Sequence, residues 1–258
     1  MKIVMMINNI YFRSKVLYRV LLANQSHEFL VVSVADSSRK TGRIKALRKK
    51  LSFWGPKGTS VLAWSSLCSK VSSALRFPSY DGYMNGLERV SKGFRAEFRH
   101  TRDPNSEATV SLIEAFSPDI IISFQHRIFR RRLLELPRIA CINCHSSLLP
   151  DYRGLKPIFW AMLDGAESIG VTIHTMTEEI DIGRIVAQKG ISLDRRRTYF
   201  QNAVMLNELS ADALNRSISL LEVKTIESFP QIPQTARYYK QPKKDDLRLF
   251  RTRGNRVI

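Results

Sequence analysis

Within Cys141-Ile142-Asn143-Cys144-His145, four of five side chains can do chemistry. Two cysteines three apart followed by a histidine have the spacing of a c-type haem attachment site. Attachment of that kind accompanies export, and the opening MKIVMMINN has too short an apolar core for a secretory signal. A zinc site needs a second ligand pair, and the remaining cysteine is Cys68 alone. A thioredoxin-like redox pair belongs at a helix start, whereas this one is expected to end a strand. Both cysteines therefore read as small, buried strand residues. Asn143 and His145 are the more productive pair. Two apart on a strand, they point to one face, at the carboxyl end where parallel sheets place their sites. Pro150 and Gly154 then turn the chain into the next helix.

Asn143-Cys144-His145, followed by Ser147-Leu148-Leu149-Pro150 and Tyr152-Arg153-Gly154, resembles the folate-dependent formyltransferases. Ile169-Gly170-Val171-Thr172-Ile173-His174 and Glu178-Glu179-Ile180-Asp181-Ile182-Gly183 resemble that family's second motif block. The 36 residues from His145 to Asp181 are the separation the family keeps between its catalytic His and Asp. The resemblance runs from about Pro118 to Leu193 and is weaker over the first strand and helix.

It implies transfer of a formyl group from 10-formyltetrahydrofolate to a primary amine, with no metal. Asn143 is then the amide that donates to the formyl oxygen, and such preorganised donors are typically worth ~10²–10³ in rate. His145 donates to the same oxygen and moves protons. Asp181 orients His145 and carries a proton from the attacking amine toward the leaving nitrogen, a task suited to a carboxylate whose pKa is raised by burial. Taken alone, Asp181 reads as a turn residue before Gly183. The implied pteridine contacts are Arg127 and Ile128 after DIIISF, Leu149, and Glu178, Glu179 and Ile180. His126, Phe129 and Arg130 stand where the family carries Gly, Leu and Pro. Thr172 and His174 share a strand face, which leaves them either lining the site or packing.

These residues need elements to hold them. Lys2–Ile7 and Glu28–Val34 read as strands around a helix near Phe12–Gln25. Arg39–Trp54 is a basic, Leu-punctuated helix or loop, and Val61–Leu75 a helix candidate. Gly93–His100 is expected as a strand, Asn105–Ser117 as a helix stopped by Pro118, and Asp119–Phe124 as a buried strand. Arg130–Leu136 is a short helix, Arg138–Cys144 a strand, and Pro157–Asp164 a helix opened by its proline. Ile169–Met176 and Arg184–Leu193 follow as strands, then a long helix over 199–221 and a last one over Asp245–Arg253. Strands alternating with helices predict an α/β fold, a doubly wound and mostly parallel sheet of Rossmann-like type. Residues 1–221 are expected to form the catalytic domain and 222–258 a short basic C-terminal extension.

The 258 residues carry 44% hydrophobic and 25% charged side chains, a globular balance. No apolar run reaches the roughly 18 residues of a membrane span, so no membrane partner is expected. Three cysteines exclude a disulfide scaffold and point to the cytoplasm. The net charge of +18 sits at the ends, with +10 over residues 1–60 and +7 over 181–258. Either it is a solvated surface, the plain reading of the Arg130–Arg132 and Arg195–Arg197 triplets, or it meets polyanions.

The acceptor follows by comparison within the family. Glycinamide ribonucleotide enzymes hold phosphate on a Gly-Ser-Asn turn after the first strand, and this chain has Ile7-Asn8-Asn9-Ile10-Tyr11-Phe12 there. The 37 residues after the long helix are too few for a separate tRNA-binding domain. A regulatory domain of the formyltetrahydrofolate hydrolase kind is not expected, because Lys2–Ile7 is already the first strand. A small, phosphate-bearing amine, first a nucleotide-linked amino sugar, is the expected acceptor. A methionyl-tRNA formyltransferase-like enzyme, a formyltetrahydrofolate hydrolase and a non-catalytic nucleic-acid or partner-binding protein remain the alternatives, and a homodimer stays open.

Overall fold

The computed structural model describes residues 1–8, 13–35, 51, 53, 55, 59–60, 86–223, 230–231 and 237–258. The expected elements at Arg39–Trp54 and Val61–Leu75, together with Cys68 and most of the Ile7–Phe12 turn, lie largely or wholly outside them.

Seven strands form one sheet: β1 (Lys2–Asn8), β2 (Glu28–Val34), β3 (Glu97–Thr101), β4 (Ile120–Phe124), β5 (Ala140–His145), β7 (Ser168–Thr175) and β8 (Ile185–Ser192). Their order is β3-β2-β1-β4-β5-β7-β8. Pairing is parallel from β3 to β5 and antiparallel at β5–β7 and β7–β8. This is the doubly wound, mostly parallel α/β sheet that the alternation predicts. Its direction of winding reverses between β1 and β4, which opens a crevice at the carboxyl ends of the central strands.

Both faces are covered, so the central strands are apolar on both sides. On one face Met5, Ile122 and Ile142 pack under α1 (Arg13–Ala23) and α6 (Tyr199–Glu222); on the other Val4, Ile121 and Cys141 pack with Ile113 and Phe116 of α3 (Glu107–Phe116). Arg13 opens α1 buried, stacked on Phe124 and bonded to Asn8 and the Phe124 carbonyl. Burial lowers its pKa to about 10.

One expected strand begins late. Residues 87–93 form α2 (Leu87–Gly93), and β3 starts at Glu97 after a turn in which Arg95 takes φ +57°. The short α4 (Arg131–Leu134) and α5 (Pro157–Asp164) match their expected places. A second, two-stranded sheet joins β6 (Arg153–Gly154) to β9 (Tyr238–Tyr239). Beyond it, α7 (Lys244–Thr252) lays Leu247 and Phe250 into the main core. Among the described residues, no helix is long and apolar enough to cross a membrane.

Candidate functional site

β5 and β7 set two pairs of side chains opposite each other: Asn143 faces His174, and His145 faces Thr172. Asp181 comes from the β7–β8 connection, where it holds φ +56°, a left-handed conformation that Asp tolerates better than most residues. That connection is pinned at Thr175. Thr175 N donates to Arg184 O at 2.8 Å, Arg184 N donates to Thr175 Oγ1 at 2.9 Å, and Gly183 sits so close to the Thr175 carbonyl that no Cβ fits. The carboxylate is thereby placed between two imidazoles. Asp181 Oδ2 lies 3.6 Å from His145 Nδ1, and Oδ1 lies 3.6 Å from His174 Nε2, with all three side chains at least nine-tenths buried. Gly154 N donates to Asp181 Oδ2 at 2.9 Å.

The tautomers follow from the acceptors. His174 Nδ1 is 2.8 Å from the Thr175 carbonyl, which can only accept, so Nδ1 carries the proton. Burial, reinforced by His145, lowers its pKa to about 4 against the opposing pull of Asp181 and the Thr175 carbonyl. His174 is therefore neutral at pH 7, and its Nε2 accepts from Asn143 Nδ2 at 3.2 Å. The Asn143 amide is thus oriented, with one N–H of Nδ2 taken and the other left to donate. His145 Nε2 lies 3.2 Å from the Tyr152 carbonyl and donates to it. Nδ1, toward Asp181, is the nitrogen left to gain and lose a proton.

Thr172 packs rather than lining the reactive edge. Fully buried, it donates to Ser147 O at 2.7 Å and accepts from Leu149 N at 3.0 Å and Gln188 Nε2 at 2.8 Å. It fixes the 147–151 turn that leads to Tyr152 and Gly154. Leu149 is buried, and its carbonyl also accepts from Gln188 Nε2 at 2.9 Å, so its backbone is committed inside the protein.

The remaining expected contacts flank the crevice. Arg127 and Ile128 follow β4, and Ile128 is 61% exposed. Gln125 closes a ring on Arg127, accepting from its N–H and donating to its carbonyl, while Asn105 Nδ2 donates to Ile128 O at 2.9 Å. Glu178, Glu179 and Ile180 are exposed on the facing turn, and the charge of Glu178 reaches Arg131 across the gap. Arg127 Nε is buried without a partner. Arg131 and Arg132 pair with Glu135 and Glu107 at 2.7 and 2.6 Å, as solvated arginines do. A separate cavity of about 240 Å³ behind the turn is lined by Ser147, Asp151, Tyr152, Ile158 and Ile169, and none of Asn143, His145 and Asp181 borders it.

Burial raises the thiol pKa of Cys144 to about 12 and raises that of Cys141 too, as expected of inert core cysteines. Among the described residues, no group of three or more His, Cys, Asp or Glu is placed to hold a metal.

The family model described as "Formyl transferase" matches residues 68–217, more than half of the chain. The chain belongs to the formyl transferase family. This family member is 35% identical over 162 residues to the methionyl-tRNA formyltransferase of Thermotoga maritima, covering 62% of the chain and 52% of that protein. It spans about half the length of the curated relatives it matches. Its fold is shared with a sugar N-formyltransferase from Shewanella sp FDAARGOS_354, at TM-score 0.60 and 18% identity over 97% of this chain and 87% of that one. WlaRD, a sugar 3N-formyl transferase whose crystal structure was determined in the presence of dTDP and 5-N-formyl-THF, shares it at TM-score 0.58 and 14% identity, over 93% of this chain and 69% of that one.

Sequence reasoning missed Gln125, Asn105 and Gln188, and it left His174 between two readings. The resemblance to the formyltransferases, with its 36-residue His-to-Asp separation, pointed to Asp181, but these supporting residues have partners that are mostly backbone atoms, which no motif displays.

Proposed function

We propose that the chain moves a formyl group from 10-formyltetrahydrofolate to a primary amine on a small, phosphate-bearing acceptor, first a nucleotide-linked amino sugar. The observation that carries the chemistry is the Asn143–His174–Asp181–His145 cluster, in which one amide N–H is oriented and one carboxylate faces a proton-accepting nitrogen. Folate supplies the formyl carbon and the leaving nitrogen. The chain flanks it with the backbone donors and acceptors of the Arg127–Ile128 loop on one wall and with the exposed Glu178–Ile180 turn on the other. A polar, amide-edged ring fits such donors, and WlaRD, whose crystal structure was determined in the presence of 5-N-formyl-THF, supports this reading.

Asn143 then donates to the oxygen on which negative charge grows, and its orientation is prearranged by His174. His145 Nδ1 and Asp181 move the amine proton between them. A nucleotide-linked sugar is supported by the sugar N-formyltransferase fold, which overlays 97% of the chain. A second reading, methionyl-tRNA as acceptor, is supported by the 35% identity to a methionyl-tRNA formyltransferase.

Purified protein with 10-formyltetrahydrofolate and a panel of amines tests this, with release of tetrahydrofolate as the signal. Transfer to nucleotide-linked amino sugars is the expected result. Transfer to initiator methionyl-tRNA alone selects the second reading, and formate release without an amine selects a hydrolase. Stable binding of 5-formyltetrahydrofolate is checked by melting, since a ligand at 100 times its Kd adds about 2.7 kcal/mol to the native state. No shift at saturating folate overturns the proposal.

A further inference from the structure

Residues 237–258 hold eight Lys or Arg against two Asp. All eight cations are exposed. Seven arginines elsewhere pair with carboxylates, among them Arg19 with Asp212, Arg131 with Glu135 and Arg138 with Asp119, and the ion pairs of the described residues include none of these eight cations. The segment also lies beyond the residues matched to the family.

Its packing determines what it displays. Leu247 and Phe250 turn inward, with Phe250 stacked on Phe159 at 4.5 Å. Lys244, Arg248 and Arg251, spaced four and three residues apart, are left on one outward face of α7. Arg256 continues the strip, donating to the carbonyl of Arg196 at 2.6 Å and so joining the Arg195–Arg197 triplet. At the other end β9 exposes 41% of Tyr238 beside Arg237 and Lys240.

Charge count and shape select the ligand. The two phosphates of a sugar nucleotide cannot use eight cations spread along a helix and both its flanks. A lipid surface needs an apolar face turned out, and on α7 Leu247 and Phe250 are spent in the core, which leaves Leu249 as the one exposed large apolar side chain of the helix. A chain of phosphates matches the strip, and an exposed aromatic beside it offers a stacking surface to an unpaired base. We infer that the α7–β9 strip binds a single-stranded polynucleotide, through its phosphates at Lys244, Arg248 and Arg251 and through a base on Tyr238. This stands apart from the formyl-transfer reading.

The test is fluorescence anisotropy of labelled single-stranded RNA and DNA 20-mers of one sequence, at several salt concentrations and without folate. Wild type should bind both, and a preference for either identifies the source. K244E/R248E/R251E should weaken binding at least tenfold and reduce the slope of log K against log salt by about 2, three phosphates at about 0.7 each. Y238A should weaken binding several-fold and leave the slope unchanged. The charge-matched K92E/R95E/R99E, on α2, β3 and the turn between them, should change binding less than threefold. Circular dichroism confirms that each variant is folded. The inference fails if both triples lose affinity equally, if the α7 triple binds as wild type, or if anionic vesicles or inorganic polyphosphate bind where the 20-mers do not.

Discussion

Neutral His174 sets what the other site residues can do. A ring whose Nδ1 is committed to the Thr175 carbonyl can only accept at Nε2, and that acceptor turns the Asn143 nitrogen toward β7. Its pKa of about 4 lies below its ordinary value of 6.5, so between those pH values the unfolded chain binds a proton that the native one refuses. Stability should therefore fall as pH drops through this window, by about 3 kcal/mol in all. His174→Asn keeps a donor for Thr175 and removes the titration. Urea melts of wild type should lose stability from pH 6.5 to pH 4 more steeply than those of the variant, and parallel curves would refute the assignment. Around this ring, Asn143→Ala, His145→Ala and Asp181→Asn should each cut transfer by about a hundredfold or more, because in the proposed mechanism each acts on charge or protons in the transition state. Folate affinity should change far less. If Asp181→Asn consumes the formyl donor at the wild-type rate, the proposed proton route is wrong.

Two short strands, β6 and β9, hold the turn that positions Asp181. Gly154 adopts φ +96° and donates to the carboxylate, and a Cβ there would lie 2.7 Å from the Tyr238 ring and closer still to the Tyr239 carbonyl. Gly154→Ala should cost on the order of 1–3 kcal/mol through backbone strain and lower turnover by moving Asp181. Unchanged melting and unchanged turnover together would show that this turn does not set the carboxylate. Sequence periodicity could not find these strands, since two residues carry no period. The apolar runs of β1, β2, β4 and β5 were legible, because a strand buried on both faces must be apolar throughout. That β7 runs antiparallel to β5 was not, as alternation looks the same in either direction. α2 was lost for a related reason: Arg95, in its left-handed turn, separates helix from strand without the glycine that would announce it. Asn143 and His145 were readable as a same-face pair at a strand end and Asp181 only through the resemblance to the formyltransferases, while Gln125, which braces Arg127, was hidden because it works through backbone atoms.

At the scale of the molecule, the question is whether residues 237–258 are attached to the fold or part of it. Tyr199 N and Phe200 N, at the start of α6, donate to Arg256 O and Val257 O at 2.8 and 3.0 Å. Those amides have no partner within their own helix, so the C-terminal segment completes the helix that lies across the sheet. Phe250 is fully buried against Phe159 of α5, and α5 begins at Pro157, three residues after Gly154. One continuous core thus runs from the sheet through α6 and α5 to α7. Phe250→Ala should cost about 3–5 kcal/mol, the usual range for a buried phenylalanine. Far-ultraviolet circular dichroism and tryptophan fluorescence, with Trp160 next to Phe159, should report one shared transition at the lowered temperature. If α7 were merely appended, fluorescence would change first and the sheet would melt later at the wild-type temperature. A single lowered transition, accompanied by weaker transfer at temperatures where the variant is still folded, would place the basic strip, the Gly154 turn and Asp181 in one cooperative unit.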